Sequence, residues 1–193
     1  RPDGPARRAA QTALHGILDV LVRLMAPILS FTAEDVWGFM PGGGRAESVF
    51  LGGLDAARPE WRDDALAARF ERLLAVRGAV TKAIEEARQA GTVKQSSEAR
   101  VVLGTGDADG LGALLTERAA ELPTLFLAAT VSLDGAGAGA ESPLLPGLRV
   151  RIERAAGEKC PRCWMVRTLG ADARHPEVCE RCAELCQAFA EDA

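Results

Sequence analysis

The chain has 193 residues, of which 48% are hydrophobic and 26% are charged, and its formal net charge is −4 at pH 7. These values are typical of a soluble protein with a buried core. No apolar run reaches the ~18 residues that a membrane-spanning helix needs, so we expect no membrane contact. The weakly acidic balance also argues against a surface that binds nucleic acid throughout.

The first residues predict a helix whose apolar face extends from Leu14 to Ile28. Pro5 suits the first turn of a helix, whereas Pro27 removes a backbone donor, so the helix must end or kink near Met25. The chain begins without Met and without an apolar leader. We therefore expect a piece of a longer protein that carries no signal peptide.

A second, short helix is predicted after residue 31. The run Thr32-Ala33-Glu34-Asp35 has the form of a capping box. We interpret Glu34 and Asp35 as charges in the first helical turn rather than as a catalytic pair. Trp37 lies in the apolar pattern that follows and is predicted to be buried. A proline and three glycines at residues 41–44 end this helix.

The longest predicted helix extends from Trp61 to Ala90 and ends at Gly91. Trp61 is predicted to lie in the core. Arg77 falls in the middle of the apolar stripe, where an unpaired charge is costly, so it must pair with a carboxylate or face a ligand. The stripe is formed by Leu66, Phe70, Leu73, Val80 and Ile84.

The middle of the chain indicates a small α/β element. Strands are predicted at Ala99–Leu103 and Leu125–Leu133, with a helix at Gly110–Leu122 between them. The Gly/Ala run at residues 135–140 is predicted to be a flexible linker or a hairpin tip. Leu148–Glu153 alternates between apolar and polar residues and predicts a strand with one basic face.

Four cysteines follow as two C-x2-C pairs that fifteen residues separate: Cys160, Cys163, Cys179 and Cys182. This spacing favours one tetrahedral zinc ion in a closed structural site over two disulfides or two unrelated pairs. Metal binding would supply on the order of 10 kcal/mol of folding free energy. His175 and Cys186 are nearby and could replace a thiolate. With so few cysteines left over, we expect a reducing, cytoplasmic environment.

These patterns predict a mostly α fold in three parts. Residues 1–92 form a segment of a helical bundle, residues 93–147 a small α/β connector, and residues 148–193 a β-rich zinc module. Basic residues gather near the metal, since residues 148–182 hold eight Lys and Arg against five Asp and Glu. Such a local excess is compatible with a module that contacts phosphates.

Three blocks of sequence carry a resemblance. The run L-M-A-P-I-L-S-F-T-A-E-D-V-W at residues 24–37 is similar to part of the helical anticodon-binding domain of class I synthetases for branched aliphatic amino acids. The segment from Val76 to Arg88 is similar to the long helix that follows in the isoleucine enzymes. Residues 157–164, with residues 179–182, resemble the C-terminal zinc module of bacterial isoleucyl-tRNA synthetases.

The resemblance implies that the parent protein joins isoleucine to its tRNA with ATP. The H-I-G-H and K-M-S-K-S motifs of the family have no counterpart here, so we expect no catalytic residue, and ATP and Mg²⁺ only in the parent's catalytic domain. The implied partners are an isoleucine tRNA and the remaining domains of the same, monomeric synthetase. Valine and leucine enzymes share much of the helical block, so the amino acid identity depends mainly on the zinc tail.

The candidate RNA-binding residues are basic or aromatic. Trp164 either covers the zinc turn as a core aromatic or stacks on an unpaired anticodon-loop base. Arg174 is a further possible phosphate contact beside the zinc site. The full set is Arg77, Lys82, Arg88, Arg162, Trp164, Arg167 and Arg181.

Two functions of other classes remain open from the sequence. Taken alone, the zinc module also resembles the C-terminal zinc finger of formamidopyrimidine-type DNA glycosylases, which binds duplex DNA. Those enzymes need an N-terminal proline or a comparable amine, and Arg1-Pro2-Asp3 does not supply it. The third hypothesis is a zinc-stabilised domain for protein interaction.

Overall fold

A computed structural model describes residues 4–54, 56–106, 110–134 and 139–191. Contacts between residues divide the chain into two compact units, residues 1–62 and residues 63–193. Each unit is described by itself. Among the described residues, no helix combines the length and the apolar character that crossing a membrane requires.

The first unit contains two α-helices and two short 3-10 helices. Helix α1 spans Pro5–Met25 and helix α2 spans Ser30–Phe39, with the 3-10 turns at Val49–Leu51 and Pro59–Trp61. Pro5 occupies the first turn of α1. The prediction that this helix ends at Met25 is confirmed.

The core of the first unit is built around Trp37, which is only 3% exposed. Its indole Nε1–H donates to the carbonyl of Ala46 at 2.9 Å. The guanidinium groups of Arg23 and Arg45 lie 5.1 and 5.2 Å from the ring centroid. Cation–π contact on a desolvated ring adds to the free energy of burial. The other buried apolar residues are Val22, Ala26, Ala33, Met40 and Val49.

The capping-box prediction for Thr32 is wrong. Helix α2 begins two residues earlier, at Ser30, and no side chain caps it. Glu34 instead accepts hydrogen bonds from the Ser48 hydroxyl at 3.0 Å and from the Val49 N–H at 3.1 Å. Its carboxylate therefore fixes the start of the 3-10 turn, a long-range role that local sequence patterns do not reveal.

The prediction that Trp61 is a core residue is also wrong, since its side chain is 59% exposed. Trp61 lies in the 3-10 turn before the long helix, and the guanidinium of Arg58 is 4.5 Å from its ring centroid. Arg62, which is extended, and the N-cap residue Asp63 separate the two elements, so Trp61 does not share the buried face of the helix.

The second unit begins with helix α3, Asp64–Gln89. Asp63 caps it, because its carboxylate accepts from the Leu66 N–H at 2.8 Å. At the other end, Gly91 has φ +77°, and the Thr92 N–H donates to Ala87 while the Gly91 N–H donates to Arg88. This pair of bonds is a Schellman motif, as the predicted glycine stop implied.

Helix α3 packs on a four-stranded sheet. The strands are β1 Ala99–Thr105, β2 Thr130–Leu133, β3 Ala140–Glu141 and β4 Leu148–Arg154, in the order β2-β1-β4-β3. Strands β1 and β2 are parallel, and the other two pairings are antiparallel. The shared core includes Val76, Val80, Val101, Leu103 and Leu148. The predicted domain boundary at residue 92 places α3 and the sheet in different parts of the chain. Contacts between residues place both in the second unit.

The predicted helix Gly110–Leu122 is the shorter α4, Leu111–Glu117, and a further helix, α5 Leu122–Phe126, begins where it was predicted to end. Pro123 lies in the first turn of α5, and Leu127 at φ +54° ends it. The strand predicted from Leu125 therefore begins only at Thr130. The predicted linker at residues 135–140 lies mostly outside the described residues.

The last part of the chain contains little strand. A hairpin pairs β5 Glu158–Lys159 with β6 Val166–Arg167, and an isolated bridge joins Leu169 to Cys179. Helix α6 follows at Glu180–Glu191. Turns that carry the cysteines connect these elements.

Candidate metal centre and nucleic-acid interface

The structure brings the four predicted zinc ligands together. The Sγ atoms of Cys160, Cys163, Cys179 and Cys182 lie within 4.8 Å of one another. Cys163 Sγ and Cys179 Sγ are 3.8 Å apart, which equals the ~3.8 Å edge of a tetrahedron with Zn–S bonds of ~2.3 Å. A disulfide needs an S–S distance of about 2.05 Å, and all the cysteines are free. The alternatives of two disulfides and of two unrelated cysteine pairs are therefore wrong.

Local backbone donors and burial set the pKa values of these thiols in opposite directions. Burial raises the pKa of Cys160, but the N–H groups of Cys163, Cys179 and Arg162 outweigh it and lower the value to about 6. Burial raises the pKa of Cys163 and raises that of Cys179 to about 12. Four thiolates this close together would repel one another, and a divalent cation would offset their charge.

The first cysteine pair is held by the β5–β6 hairpin. The Cys160 N–H donates to Met165 at 3.0 Å, and the Trp164 N–H donates to Cys160 at 2.9 Å. Gly157 has φ +107°, and a Cβ atom there would collide with the carbonyl of Arg167. Only glycine permits this approach of the two strands.

The second pair is fixed by the bridge and by helix α6. The Gly170 N–H donates to Val178 at 3.2 Å, and Cys182 and Ala183 both donate to Cys179. Within the intervening loop, Asp172 accepts from the Arg174 N–H at 2.8 Å and from Gln187 of α6. These contacts close the loop over the sulfur cluster without adding a ligand.

The two competing ligands stay outside the cluster. Within residues 139–191, the described metal-binding group contains neither His175 nor Cys186. His175 is half-buried and its backbone N–H donates to Asp172, whereas Cys186 lies one turn beyond Cys182 in α6. The donor set is thus four sulfurs, which suits zinc and leaves no open coordination position.

Trp164 does not cover the zinc turn. Its side chain is 67% exposed, and its backbone adopts φ +63°. A non-glycine residue in this left-handed conformation is strained. The Lys159 ammonium lies 5.8 Å from the ring centroid. The core reading of Trp164 is therefore wrong, and the exposed ring face is compatible with the stacking alternative.

Arg162 lies over the sulfurs. Its Nη1 donates to Cys182 Sγ at 3.6 Å, and this hydrogen bond raises the pKa of the guanidinium. The group is otherwise exposed, so it balances thiolate charge on one side and faces solvent on the other.

The three basic candidates on α3 lie on its surface. Arg77 is exposed, so the expectation that it is a buried charge is wrong; Val76, Ala79 and Val80 occupy the centre of the buried face instead. Lys82 Nζ lies 4.0 Å from Glu86, and Arg88 makes two hydrogen bonds of 2.8 and 2.7 Å to Glu85. Exposed pairs of this kind contribute little stability.

Arg167 and Arg181 line a groove between the sheet and the cysteine-bearing turns, together with Arg100 and Arg154. Arg100 and Arg154 were not predicted as candidates from the sequence. Arg154 is the last residue of β4, one position beyond the predicted strand, and Arg100 lies beside it on β1. The available signal was a charged residue directly after the alternating apolar positions of the predicted strand, as Arg154 is.

Comparison with protein families gives two matches. Residues 1–103 match the family described as the anticodon-binding domain of tRNA ligase. Residues 157–185 match the family described as a zinc finger found in FPG and IleRS. The second match and the four-sulfur cluster together support one structural zinc ion.

Curated proteins that resemble this chain are isoleucine–tRNA ligases. The protein from Geobacter sulfurreducens is 45% identical over 95% of this chain and 20% of its own length. The protein from Syntrophotalea carbinolica is 45% identical over 93% and 19%, and that from Sodalis glossinidius 46% identical over 94% and 20%. The chain thus spans about a fifth of the length of the curated relatives it matches.

Proposed function

Because the chain belongs to the family of anticodon-binding domains of tRNA ligases, we propose that it binds the anticodon arm of a tRNA. The observation that carries this proposal is the family match over residues 1–103. The names of the similar proteins favour an isoleucine tRNA as the ligand and an isoleucine–tRNA ligase as the parent protein. This chain is then the C-terminal region of that ligase.

The role of this region is positioning rather than bond chemistry. The parent's catalytic domain joins isoleucine to the tRNA with ATP and Mg²⁺, and this chain contributes no catalytic residue. It holds the anticodon arm so that the distant acceptor end reaches the active site, because fixed orientation lowers the barrier of the reaction. Residues 1–92 supply the helical part, residues 93–147 the connector and residues 148–193 the zinc module.

The zinc ion is structural. Its ligands are Cys160, Cys163, Cys179 and Cys182, which fill a tetrahedral coordination sphere. A closed site of this kind shapes the turns around the metal and activates no water. Zinc therefore serves RNA binding by fixing the backbone that carries Arg162, Trp164 and Arg181.

The RNA contacts divide into phosphate contacts and a base contact. Arg77, Lys82 and Arg88 on α3 contact backbone phosphates, as do the arginines near the metal, Arg162, Arg167 and Arg181. Lys82 and Arg88 must first break their ion pairs with Glu86 and Glu85 on α3. Their net contribution to the free energy of RNA binding is therefore smaller. Trp164 stacks on an unpaired base of the anticodon loop, for which its exposed ring face is the support.

The remaining partners follow from the parent protein. The other domains of the same ligase dock on this region, and the parent functions as a monomer in the cytoplasm. The exposed apolar residues along α1, such as Leu14 and Ile17, offer a surface for such docking.

The direct test is a titration of the 193-residue chain, loaded with zinc, against an isoleucine tRNA, an unrelated tRNA and duplex DNA. We expect saturable binding with preference for the isoleucine tRNA and an affinity that falls as salt rises. Preference for duplex DNA would support the glycosylase-type alternative, which the zinc-finger description also includes. Absence of binding to every nucleic acid would leave the protein-interaction hypothesis.

A further inference from the structure

A groove separates the end of the sheet from the cysteine-bearing turns within the second unit. Its volume is about 600 Å³. Two arginines come from the sheet, Arg100 on β1 and Arg154 at the end of β4, and two come from the zinc side, Arg167 on β6 and Arg181 in the first turn of α6. Four arginines from two modules thus line one concave surface.

The positive charge in this groove is only partly balanced. Arg100 pairs with Glu153 across the β1–β4 ladder at 3.6 Å, and Glu180 is the acidic residue on the wall. Across the parts of the chain that the structure describes, Arg154 and Arg181 form no ion pair. An electropositive concavity of this kind focuses the field and attracts anions.

Two buried donors in the groove also lack partners. Arg167 Nε and Ser132 Oγ are both shielded from solvent, and neither has a hydrogen-bond partner among the described residues. Buried polar groups without partners are rare in folded proteins and point to a missing ligand or water. Both residues line the same groove, which is where such a ligand would bind.

We propose that this groove binds a backbone phosphate of the RNA, with Arg154 and Arg181 as its two exposed contacts. A phosphate offers acceptor oxygens that match the planar fork of a guanidinium, as a halide does not. The groove is open along one side, which suits a phosphodiester within a chain. The proposal depends on the proposed function, and it adds Arg100 and Arg154 to the RNA-binding surface.

The groove exists only while the zinc module is seated on the sheet. A small apolar contact of Ala129, Ala155 and Val166 holds the two together. Arg154 directly precedes Ala155 of this contact, and Arg167 directly follows Val166. Phosphate binding in the groove is thus coupled to zinc, because the metal fixes the turns that carry Arg167 and Arg181.

The test compares Arg154→Ala and Arg181→Ala with a matched control, Arg149→Ala. All three side chains are exposed, so each variant removes one charge without opening the core. Arg149 lies on β4 as well, roughly 17 Å from Arg154 at the usual rise per residue. Zinc content and circular dichroism check that every variant is folded, and tRNA binding is measured by fluorescence anisotropy at several salt concentrations.

We expect Arg154→Ala and Arg181→Ala each to weaken tRNA binding roughly tenfold, the value of one charge-assisted contact. The slope of log affinity against log salt should also fall by about 0.7–1 in each variant. Arg149→Ala should bind as the wild type does. Equal tRNA affinities for all variants, or an equal loss of affinity with Arg149→Ala, would overturn the proposed phosphate site in the groove. The proposal that the chain binds tRNA would still stand.

A second measurement separates RNA from free phosphate. Inorganic phosphate is titrated against the zinc-loaded chain, and the Nε–H signal of Arg167 is followed by NMR. We expect only weak binding of phosphate and competition with tRNA. Tight phosphate binding that Arg154→Ala abolishes, with unchanged tRNA affinity, would show a small-anion site and refute the RNA assignment. A wild-type chain that binds no tRNA would overturn the proposed function itself.

Discussion

Trp164 combines a strained backbone conformation with a side chain that contributes little to packing. A left-handed backbone costs roughly 1–2 kcal/mol for a residue with a Cβ, and the ring is mostly exposed. The turn after Cys163 would accept glycine without strain. That the position carries a large aromatic instead is consistent with a ligand contact.

The substitution Trp164→Gly separates stability from binding. We expect the zinc module to become more stable by up to about 1 kcal/mol, because the strain at φ +63° disappears. Affinity for the tRNA should fall roughly tenfold as the stacking surface is lost. Hydrogen exchange of the Cys160 amide and tRNA titration measure the two effects. A destabilised module with unchanged affinity would assign Trp164 to structure instead.

Glu34 provides a second test at the level of single residues. Glu34→Ala leaves the Val49 N–H and the Ser48 hydroxyl without their acceptor, so we expect a loss of about 1–3 kcal/mol in the first unit. The neighbouring Asp35 is exposed, and Asp35→Ala should change stability by no more than about 0.5 kcal/mol. Hydrogen exchange of the Val49 amide compares the variants; equal effects would contradict the capping role.

Among the elements, the β5–β6 hairpin and the turn before α6 depend on metal for their charge balance. Zinc binds only thiolates. Because the pKa of Cys160 is about 6 while burial raises the pKa of Cys163 and raises that of Cys179 to about 12, Cys160 is already ionised at pH 7 and the other two are protonated. Their protons must leave when zinc enters.

We therefore predict that zinc binding at pH 7 releases at least two protons. The zinc association constant should rise roughly 100-fold per pH unit around neutrality, since each released proton contributes a factor of ten. Calorimetry in buffers of different ionisation enthalpy counts the protons directly. A count below one would mean that Cys163 and Cys179 are ionised before the metal arrives.

The sequence predicted elements best where the determinants are local. The end of α1 before Pro27, the stop of α3 at Gly91 and the strand from Leu148 follow from proline, glycine and alternation, and all are confirmed. Helix α5 was missed because its residues were divided between the end of the predicted helix and the start of the predicted strand. Pro123 was the signal, and a proline in the first turn begins a new helix rather than continuing one.

For the molecule as a whole, the cysteine spacing was enough to predict the sulfur cluster, whereas burial depended on tertiary contacts. Arg77 was misplaced because the buried face of α3 is set by the sheet it packs on, and Trp61 because it lies in the 3-10 turn before that helix. A helical wheel alone cannot show that face when Leu66 and Phe70 are partly exposed. The arginine groove joins residues far apart in the sequence, so only the fold reveals it.

Removal of zinc should affect the cysteine-bearing turns more than the two larger apolar cores. The cores around Trp37 and around Val80 contain many buried apolar side chains, whereas the described cluster at the metal consists mainly of cysteines. We expect chelation to abolish amide protection in residues 157–185 and to leave that of α2, α3 and β1 within about tenfold. Hydrogen exchange with mass spectrometry tests this; uniform loss of protection would show one cooperative unit.

The bridge between Leu169 and Cys179 has a practical consequence. The two ends of the loop meet at this bridge. The length of the loop therefore does not determine where the cysteine sulfurs lie. Ala173 and Arg174 are exposed near the middle of this loop, where added residues meet solvent. A peptide epitope or a fluorophore inserted between these two residues would report on bound tRNA without disturbing the metal site.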